Sequence, residues 1–418
     1  MINRILTFSL IVQIALAGAA FPAETRTLTL DECIETAMNE HPDLQAAAGR
    51  INSTRAQVGQ AAAENRVQVS AGTGYTRSDN SVVKDDSGSY SSSVKVSQPL
   101  FDWGRNNLKI EGAKTELDAT TADYLAVRDT VISNVRSSYY ALNRSLRQLA
   151  VARTRFDNYK QRLDWANSFY EVGTKARIEV TKAEADLANS RLTLVQSESA
   201  VEQSRSELAS AMGLPMLNVG DVADVLEFAD WSITVDEAAE LAVENRPGLL
   251  AQKRRVNYAQ TNLALQMKGK SPTITASGGY NFYGSAPFDE NGWDAGVSLS
   301  VPIFDGGLTK SKIEGAQADL MSAEAQYDSL FNSVILEVRK AWESMREARQ
   351  SLDASMESER YAKETLELAQ GRYKAGVGDS LEISDAVDAY ASAQTNTVLT
   401  LYNCKYAQLN LEKAIGGL

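Results

Sequence analysis

Four carboxylates follow a glycine turn near the end of the sequence, and they are the first candidates for chemistry. They are Asp379, Glu382, Asp385 and Asp388. The three-residue spacing from Glu382 onward puts these side chains broadly on one face of a helix. A charged face of this kind either attracts cations or is simply a solvated helix surface, and both interpretations stay open here.

A matching turn earlier in the chain carries the opposite charge. Lys175, Arg177 and Lys182 follow Gly173, as the carboxylates follow Gly376. We interpret the two turns as complementary surfaces that can pair through their charges. Each glycine also has a structural reason, because a helix reversal needs positive φ and glycine adopts it at low cost.

Catalytic and nucleic-acid chemistry has little support in the sequence. His41 is the only histidine and precedes Pro42, which suits a turn residue better than a catalyst. We find no nucleophile motif, metal-ligand cluster or phosphate-binding glycine loop. We therefore predict a protein that is not an enzyme and uses no metal or cofactor. The net charge of −12 gives no electrostatic support for binding nucleic acid.

A duplication organises the chain. The segment Lys109 to Ala113 returns unchanged at 312–316, and the same shift carries Gly173 to Gly376. Long-period duplications are usually architectural, because each copy supplies a surface that the other covers. We divide the chain into an N-terminal segment (1–20), a first repeat (21–215), a linker (216–234) and a second repeat (235–418), with helix turns at about 172–176 and 375–380.

The N-terminal segment predicts export. Arg4 precedes an apolar run from Ile5 to Ala17, and small residues follow. This pattern is typical of a secretory signal peptide, and its apolar run is too short to span a bilayer as a helix. In an oxidising compartment Cys33 and Cys404 could form a disulfide. We favour two buried free thiols instead, because the sequence gives no sign that these residues meet.

Each repeat contains one very long helix. No proline occurs between Pro99 and Pro215, or after Pro302. The first long helix is predicted from about Trp103 to Phe169, on the order of 100 Å. Its apolar residues recur every seven positions, which indicates coiled-coil packing, at Val135, Leu142, Leu149, Phe156, Leu163 and Tyr170. Shorter helices are predicted at 43–65, 177–212, 248–268 and 381–415, and these can stack end to end beside the long ones.

Two strand pairs precede the long helices. The segments at about 66–77, 91–100, 272–283 and 293–302 alternate apolar and polar residues, and aromatic residues lie near their loops. This pattern fits transmembrane strands, although two amphipathic hairpins can also form an ordinary soluble sheet. Four strands leave two open edges, which neither water nor lipid tolerates well. Three copies of the chain would close them into a barrel of twelve strands.

These features together resemble the TolC family of outer-membrane efflux proteins over essentially the whole mature chain. The local markers are the strand-to-helix segments 98–102 and 301–305, the turn segments 170–174 and 373–377, and the ending 411–417. The resemblance implies a mainly α fold with transmembrane β structure. Two tandem repeats of long antiparallel helices and four strands per chain would form a trimeric 12-stranded β-barrel and an α-helical tunnel.

The resemblance also implies roles for the two turns. The tips that would contact a periplasmic adaptor are Val172, Gly173, Thr174, Ala375, Gly376 and Val377. Glu382 and Asp385 match the family's acidic selectivity ring at the tunnel entrance, and Tyr373 matches a residue of its gate. The family's latch arginine has no counterpart, because Gly378 occupies its position. We predict a latch formed by Lys175, Arg177 and Glu179 that holds the entrance closed until an adaptor displaces it.

The resemblance implies an exit duct of a tripartite efflux or type I secretion system in the bacterial outer membrane, with its helical part in the periplasm. Its implied partners are two further copies of the chain, a periplasmic adaptor (a membrane fusion protein), an inner-membrane pump of RND, ABC or MFS type, and outer-membrane lipid. The alternative is a periplasmic adaptor or coiled-coil scaffold without a pore. Adaptors insert one helical hairpin, however, whereas this chain has two hairpins with strand pairs at their far ends.

Overall fold

The computed structural model describes residues 27–80, 85–227 and 233–418. The predicted signal peptide lies outside these residues, and so does part of the predicted linker. The first repeat contains α1 (Leu30–Glu40), α2 (Pro42–Ala63), β1 (Gln68–Asn80), β2 (Asp85–Phe101), α3 (Arg105–Glu171) and α4 (Arg177–Ala211). The second contains α5 (Val235–Asn245), α6 (Pro247–Met267), β3 (Thr273–Gly284), β4 (Glu290–Ser300), α7 (Leu308–Lys374) and α8 (Ser380–Ile415).

The two long helices match the prediction closely. Both α3 and α7 contain 67 residues, which corresponds to about 100 Å at 1.5 Å per residue. Their lengths follow from the absence of proline and from alanine-rich surfaces that let neighbouring helices pack on both flanks. None of the helices in the described residues is long and apolar enough to cross a membrane.

Local signals determine where the shorter helices begin. The side chains of Thr29 and Thr234 cap α1 and α5. In each case the glutamate three residues later accepts a hydrogen bond from the backbone N–H of the threonine, which completes a capping box. Pro42 and Pro247 occupy the first positions of α2 and α6, where the missing N–H has no partner to lose. The same signals recur in both repeats, so the duplication extends to the helix caps.

The four strands form one antiparallel sheet in the order β1-β2-β3-β4. Tyr280 lies opposite Val94 on one side and Trp293 on the other, so apolar residues of neighbouring strands share a face. That face carries Val69, Ala71, Tyr75, Tyr90, Val94, Val96, Ile274, Ala276, Tyr280, Trp293, Val297 and Leu299. The opposite face carries mainly serine, threonine, glycine and asparagine. Within the described residues β1 and β4 each have one unpaired edge.

The helices form one layer whose composition changes along its length. Near the sheet the neighbours are ordered α2, α3, α6, α7, and farther away they are ordered α4, α3, α8, α7. A Cβ at Gly213 would lie 3.0 Å from the Cα of His41, and one at Gly416 would lie 2.9 Å from the Cα of Arg246. The end of α4 thus abuts the start of α2, and α8 abuts α6. The predicted end-to-end stacking is confirmed.

Buried apolar residues form three clusters along this layer. The first surrounds Val135 and includes Cys33, and the second surrounds Val338 and includes Cys404. The third lies near the helix turns, around Tyr373 and Ile383. Both cysteines are buried and unpaired in separate clusters. The favoured interpretation of two free thiols is therefore confirmed.

The predicted seven-residue stripe of α3 is wrong beyond Leu149. Phe156 and Leu163 are only partly buried, and Tyr170 is 45% exposed. The buried positions move instead to Ala152, Tyr159, Arg162 and Ala166. An undistorted helix drifts relative to a seven-residue repeat, and α3 packs on both α4 and α8 here. The buried face therefore rotates, and it brings a charged residue inside.

An aspartate lies between the second strand of each repeat, β2 or β4, and the long helix that follows it. Asp102 accepts hydrogen bonds from the backbone N–H groups of Gly104 (3.1 Å) and Asn106 (2.6 Å). Asp305 accepts equivalent bonds from Gly307 (3.2 Å) and Thr309 (2.9 Å). These bonds hold the pKa of Asp305 at about 2, with Thr309 the main cause. Both carboxylates serve as caps for the first turns of α3 and α7.

Candidate functional site

The two helix turns lie at the end of the molecule opposite the sheet. Gly173 and Gly376 have φ of 77° and 75°, the left-handed conformation that terminates a helix. In the first turn the backbone and hydroxyl of Thr174 both donate to the carbonyl of Phe169 at 2.9 Å. Val172 and Val377 are 72% and 70% exposed. Each turn therefore presents an apolar side chain outward from a rigid backbone.

The second turn is closed by Gly378. Its N–H donates to the carbonyl of Arg372 at 3.0 Å, as the N–H of Val377 does at 3.1 Å. A Cβ at this position would lie 2.7 Å from the backbone nitrogen of Tyr373. This close approach explains why no arginine stands at the position where the resemblance expects one.

Tyr373 is buried behind the turns. Its ring lies 5.6 Å from that of Phe169 and 6.1 Å from that of Trp165, and the ammonium of Lys175 lies 5.9 Å above it. Within the described residues its hydroxyl has no hydrogen-bond partner. Burial raises the pKa of Tyr373; Glu179 and Asp379 raise it further, and Arg162 opposes them.

Arg162 is the most deeply buried charge near the turns, at 2% exposure. Its guanidinium pairs with Asp186 of α4 and donates to the hydroxyls of Ser380 (2.7 Å) and Ser384 (3.3 Å) of α8. These bonds satisfy Nη1 and Nη2 of the buried guanidinium, whereas Nε has no partner among the described residues. One side chain of α3 therefore ties both hairpins together.

A second polar contact joins α3 and α8 one step farther from the turns. Arg155 donates to the carboxylate of Asp388 at 2.8 Å, and the hydroxyl of Tyr159 donates to the same oxygen at 2.6 Å. Burial and the hydrogen bond to Asp388 raise the pKa of Tyr159 to about 12. Of the four carboxylates on the acidic face, Asp388 is thus committed to holding the two repeats together.

The two predicted ring carboxylates have different surroundings. Glu382 accepts from Arg372, with 3.1 Å between Nε and Oε1, and both side chains are substantially exposed. Asp385 is exposed and forms no ion pair within the described part of the chain. Their buried neighbours Ile383, Ala386 and Val387 pack on α3 and α7 from the other side of α8. Both carboxylates therefore face away from the core.

Of the predicted latch residues, Lys175 and Glu179 lie close to Tyr373. None of the three forms an ion pair within one protomer, as far as the structure describes it. Lys175 contacts the Tyr373 ring, and Arg177 is exposed. One oxygen of Glu179 is buried with no hydrogen-bond partner among the described residues. Pairing of Lys175 or Arg177 with the acidic turn stays a prediction that would need another protomer.

The sequence reasoning missed the links made by Arg155, Arg162 and Arg372. Arg155 and Arg162 are seven residues apart in α3, and Ser384 and Asp388 are four apart in α8. This spacing places each set on one helical face. The sequence signal was therefore present, but exposed arginines in long helices show the same spacing. Among the described residues no cluster of His, Cys, Asp or Glu is arranged to hold a metal.

Comparison with known proteins adds a family match to this geometry. The family model described as "Outer membrane efflux protein" matches residues 33–214 and 238–417. Protein CyaE of Bordetella pertussis is 26% identical over 411 residues, covering 94% of this chain and 84% of the relative. The outer membrane protein TolC of Vibrio cholerae is 25% identical over 367 residues, covering 84% and 82%.

Solved structures share the fold at lower identity. The Campylobacter jejuni CmeC outer membrane channel aligns with a TM-score of 0.82 at 18% identity, covering 93% of this chain and 85% of the other. The outer-membrane channel OprN aligns with a TM-score of 0.78 at 20% identity, covering 93% and 90%. The arrangement of two repeats, a four-stranded sheet and long helices is therefore that of these channels.

Proposed function

Since the chain belongs to the outer membrane efflux protein family, the TolC family of outer-membrane channels, we propose that three copies of it form the exit duct of an export system. The duct passively conducts substrate from a periplasmic adaptor and an inner-membrane pump to the exterior. It has no enzymatic activity. The pump belongs to the RND, ABC or MFS type, and the substrate is set by that pump.

The open edges of the protomer carry this proposal. The sheet ends in β1 and β4. The part of the helix layer farther from the sheet, called the lower helix layer below, ends in α4 and α7. These outer helices expose apolar side chains at Ile178, Leu192 and Val195 on α4, and at Met321, Leu336, Met356 and Leu368 on α7. A second copy that pairs β4 with β1 would bring α7 beside α4. Twelve strands and a continuous helical wall result from three such contacts.

The apolar face of the sheet supports a position in lipid. Val69, Trp293, Val297 and Leu299 are 64–77% exposed, whereas their neighbours on the opposite face are polar. Water does not stabilise a continuous apolar face of this extent, and a bilayer does. The aromatic residues Tyr75, Tyr90, Tyr280 and Trp293 lie on this face near the loops, where membrane strands commonly carry them.

The tips support docking of an adaptor. Val172 and Val377 project from turns whose backbones are fixed by hydrogen bonds, so an adaptor meets a preformed apolar surface. We propose Val172, Gly173, Thr174, Ala375, Gly376 and Val377 as this contact surface. Behind it, Glu382 and Asp385 form the entrance ring in the trimer. Tyr373 supports the ring, and Lys175, Arg177 and Glu179 act on its closure.

A pair of adjacent substitutions on β4 tests the channel. Val297→Lys puts a charge on the lipid face, at a cost of about 2–4 kcal/mol, and should prevent assembly in the outer membrane. Ser298→Lys puts the same charge on the opposite, lumen face and should be tolerated. The measurements are outer-membrane fractionation, heat-modifiable migration, and single-channel conductance of the purified trimer in planar bilayers.

A protein that fractionates as a soluble periplasmic monomer, with both variants behaving alike, would contradict the proposal. That outcome would favour an adaptor or coiled-coil scaffold without a pore. The sheet argues against a scaffold, because a soluble scaffold has no use for a face that is apolar across all four strands.

A further inference from the structure

A pocket at the junction of sheet and helices has no role in the duct described above. Its volume is about 310 Å³, and it lies between the end of α2, the inner strands β2 and β3, and the first turn of α3. Its lining includes Glu64, Asp102, Arg105, Asn106, Lys109 and Thr273. Because β2 and β3 are the interior strands of the protomer, trimer closure at the outer edges leaves this pocket intact.

Two donors in this pocket have no partner within the described residues. Asn106 is 5% exposed, and its amide Nδ2 makes no hydrogen bond. The Nε of Arg105 is likewise buried without a partner, and its guanidinium forms no ion pair in the described part of the chain. Unpaired Nε atoms occur on other arginines of the chain, so the buried amide of Asn106 is the stronger sign of a group that binds here.

Both carboxylates that line the pocket already have hydrogen-bond or ion-pair partners. Asp102 accepts from the backbone of Gly104 and Asn106. Glu64 pairs with Lys109 at 2.5 Å. Arg105, at the start of α3, is the lining cation that forms no ion pair among the described residues.

The second repeat shows that these donors are not needed for the fold. At the equivalent junction Leu308 stands in place of Arg105, and Thr309 stands in place of Asn106. Thr309 is also buried, but its side chain bonds to Asp305, so that site is complete by itself. The same strand-to-helix connection thus forms with a leucine and a threonine. The arginine and the amide are particular to the first repeat.

We propose that Arg105 and Asn106 bind a phosphate group. A guanidinium fork and an amide N–H suit phosphate oxygens, and arginine binds them through two parallel bonds. Phosphate can come from the headgroup of a membrane phospholipid or from free inorganic phosphate. Phe101 lines the pocket, lies opposite Ile274 of the apolar face, and is 52% exposed, so it offers a surface for an acyl chain. The lipid source rests on the proposed position of the sheet in the outer membrane.

Calorimetric titration of the purified, delipidated full-length protein tests the site. The two probes are inorganic phosphate and dihexanoyl-phosphatidylglycerol. Wild type should bind at least one of them. Arg105→Leu with Asn106→Thr installs the residues of the second repeat and should lower the affinity at least tenfold. Lys312→Ala removes the counterpart of Lys109 from the second repeat and should leave the affinity unchanged.

The possible outcomes distinguish the two sources of phosphate, and they distinguish failure of this site from failure of the channel proposal. Binding of the lipid alone identifies a headgroup site, and binding of inorganic phosphate identifies a site for the free ion; both support the proposal. Wild type that binds neither probe, or equal affinities in wild type and the double variant, would overturn it. If the double variant does not fold, Arg105→Gln replaces it, with the same tenfold loss expected. Because binding is measured without conductance, a failed site leaves the channel proposal standing, and the reverse also holds.

Discussion

The guanidinium of Arg162 donates to the hydroxyl of Ser380 across 2.7 Å, although the two residues belong to different repeats. The same guanidinium pairs with Asp186 of its own repeat. The first hairpin therefore supplies a buried charge that gains its bonds to Ser380 and Ser384 only when the second hairpin is packed against it. If the two hairpins separated near Arg162, the buried guanidinium would lose its hydrogen bonds to α8.

Replacement of Arg162 should destabilise the lower helix layer. Arg162→Met leaves Asp186 unpaired and the serines without a donor, and loss of one partner of a buried ion pair costs about 3 kcal/mol. Unfolding of the purified protein in guanidinium chloride, followed by circular dichroism, measures the loss of unfolding free energy. Arg153→Met, an exposed position in the same helix, should change stability by less than about 0.5 kcal/mol. Equal effects of the two changes would mean that the Arg162 network does not stabilise the fold.

Gly378 should tolerate no side chain. Gly378→Ala places a Cβ 2.7 Å from the Tyr373 nitrogen, and the turn must shift because the obstacle is backbone. We expect a loss of about 1–3 kcal/mol and faster proteolysis between α7 and α8. Gly371→Ala, seven residues earlier, meets no atom within 4 Å and should stabilise α7 by about 0.5–1 kcal/mol. A Gly378→Ala protein as stable as wild type would contradict the close approach.

Asp305 should make stability depend on pH in the acid range. Its pKa is lowered from the ordinary 3.8 to about 2 in the folded protein. A lowered folded pKa contributes stability that is present above pH 3.8 and is lost as the pH falls through about 2. Asp305→Asn should therefore lower the melting temperature at neutral pH and flatten its decline between pH 4 and 2. Asp319→Asn, on the exposed surface of α7, serves as control. A decline as steep in Asp305→Asn as in wild type would remove this role of the carboxylate.

Arg372 should tune the charge of the proposed entrance. It pairs with Glu382, so Arg372→Gln exposes that carboxylate and should raise the preference for cations over anions. Asp385→Asn should lower this preference, because Asp385 has no compensating cation among the described residues. Reversal potentials of the reconstituted channel in a KCl gradient measure both effects. Lys363→Gln makes the same charge change farther along α7 and should have a smaller effect; an effect as large as that of Arg372→Gln would assign the change to net charge alone.

Reversal of the charge at Arg177 tests the latch. Arg177 is exposed and unpaired within the described protomer, so its predicted partners are carboxylates of a neighbouring one. Arg177→Glu should then repel the acidic turn and increase the open-channel conductance. Arg191→Glu, the same change at an exposed position farther along α4, is the matched control. Unchanged conductance in Arg177→Glu would eliminate the latch.

The sequence was sufficient for the elements and insufficient for the polar contacts between them. The lack of proline after Pro99 predicts α3 to within two residues at each end, and the lack of proline after Pro302 predicts a long helix in the second repeat. Period-two alternation predicts the strands, but their loop-side ends differ from the predicted ones by several residues. The repeat itself located the two turns, since Gly173 and Gly376 are equivalent.

The contacts of the candidate site depend on distances that the sequence does not contain. Arg162 is indistinguishable by pattern from the exposed Arg153, and only the rotation of the buried face of α3 brings it inside. From the sequence alone Gly378 is one more glycine in a turn, and only the structure shows how closely it approaches the backbone of Tyr373. The pairing of Arg372 with Glu382 crosses a turn, so helical spacing rules do not predict it.

The end-to-end joints of the helix layer have a consequence for the order of folding. Gly213 meets His41, and Gly416 meets Arg246, so each joint closes a loop of roughly 170 residues, which makes it a slow, late event. Each loop closes within one repeat, however, and needs no residue of the other. During export the first repeat can therefore complete its joint before the second repeat emerges. The β2–β3 pairing and the Arg162 bonds to α8 must wait for the second repeat, so they form the last step that makes two hairpins into one protomer.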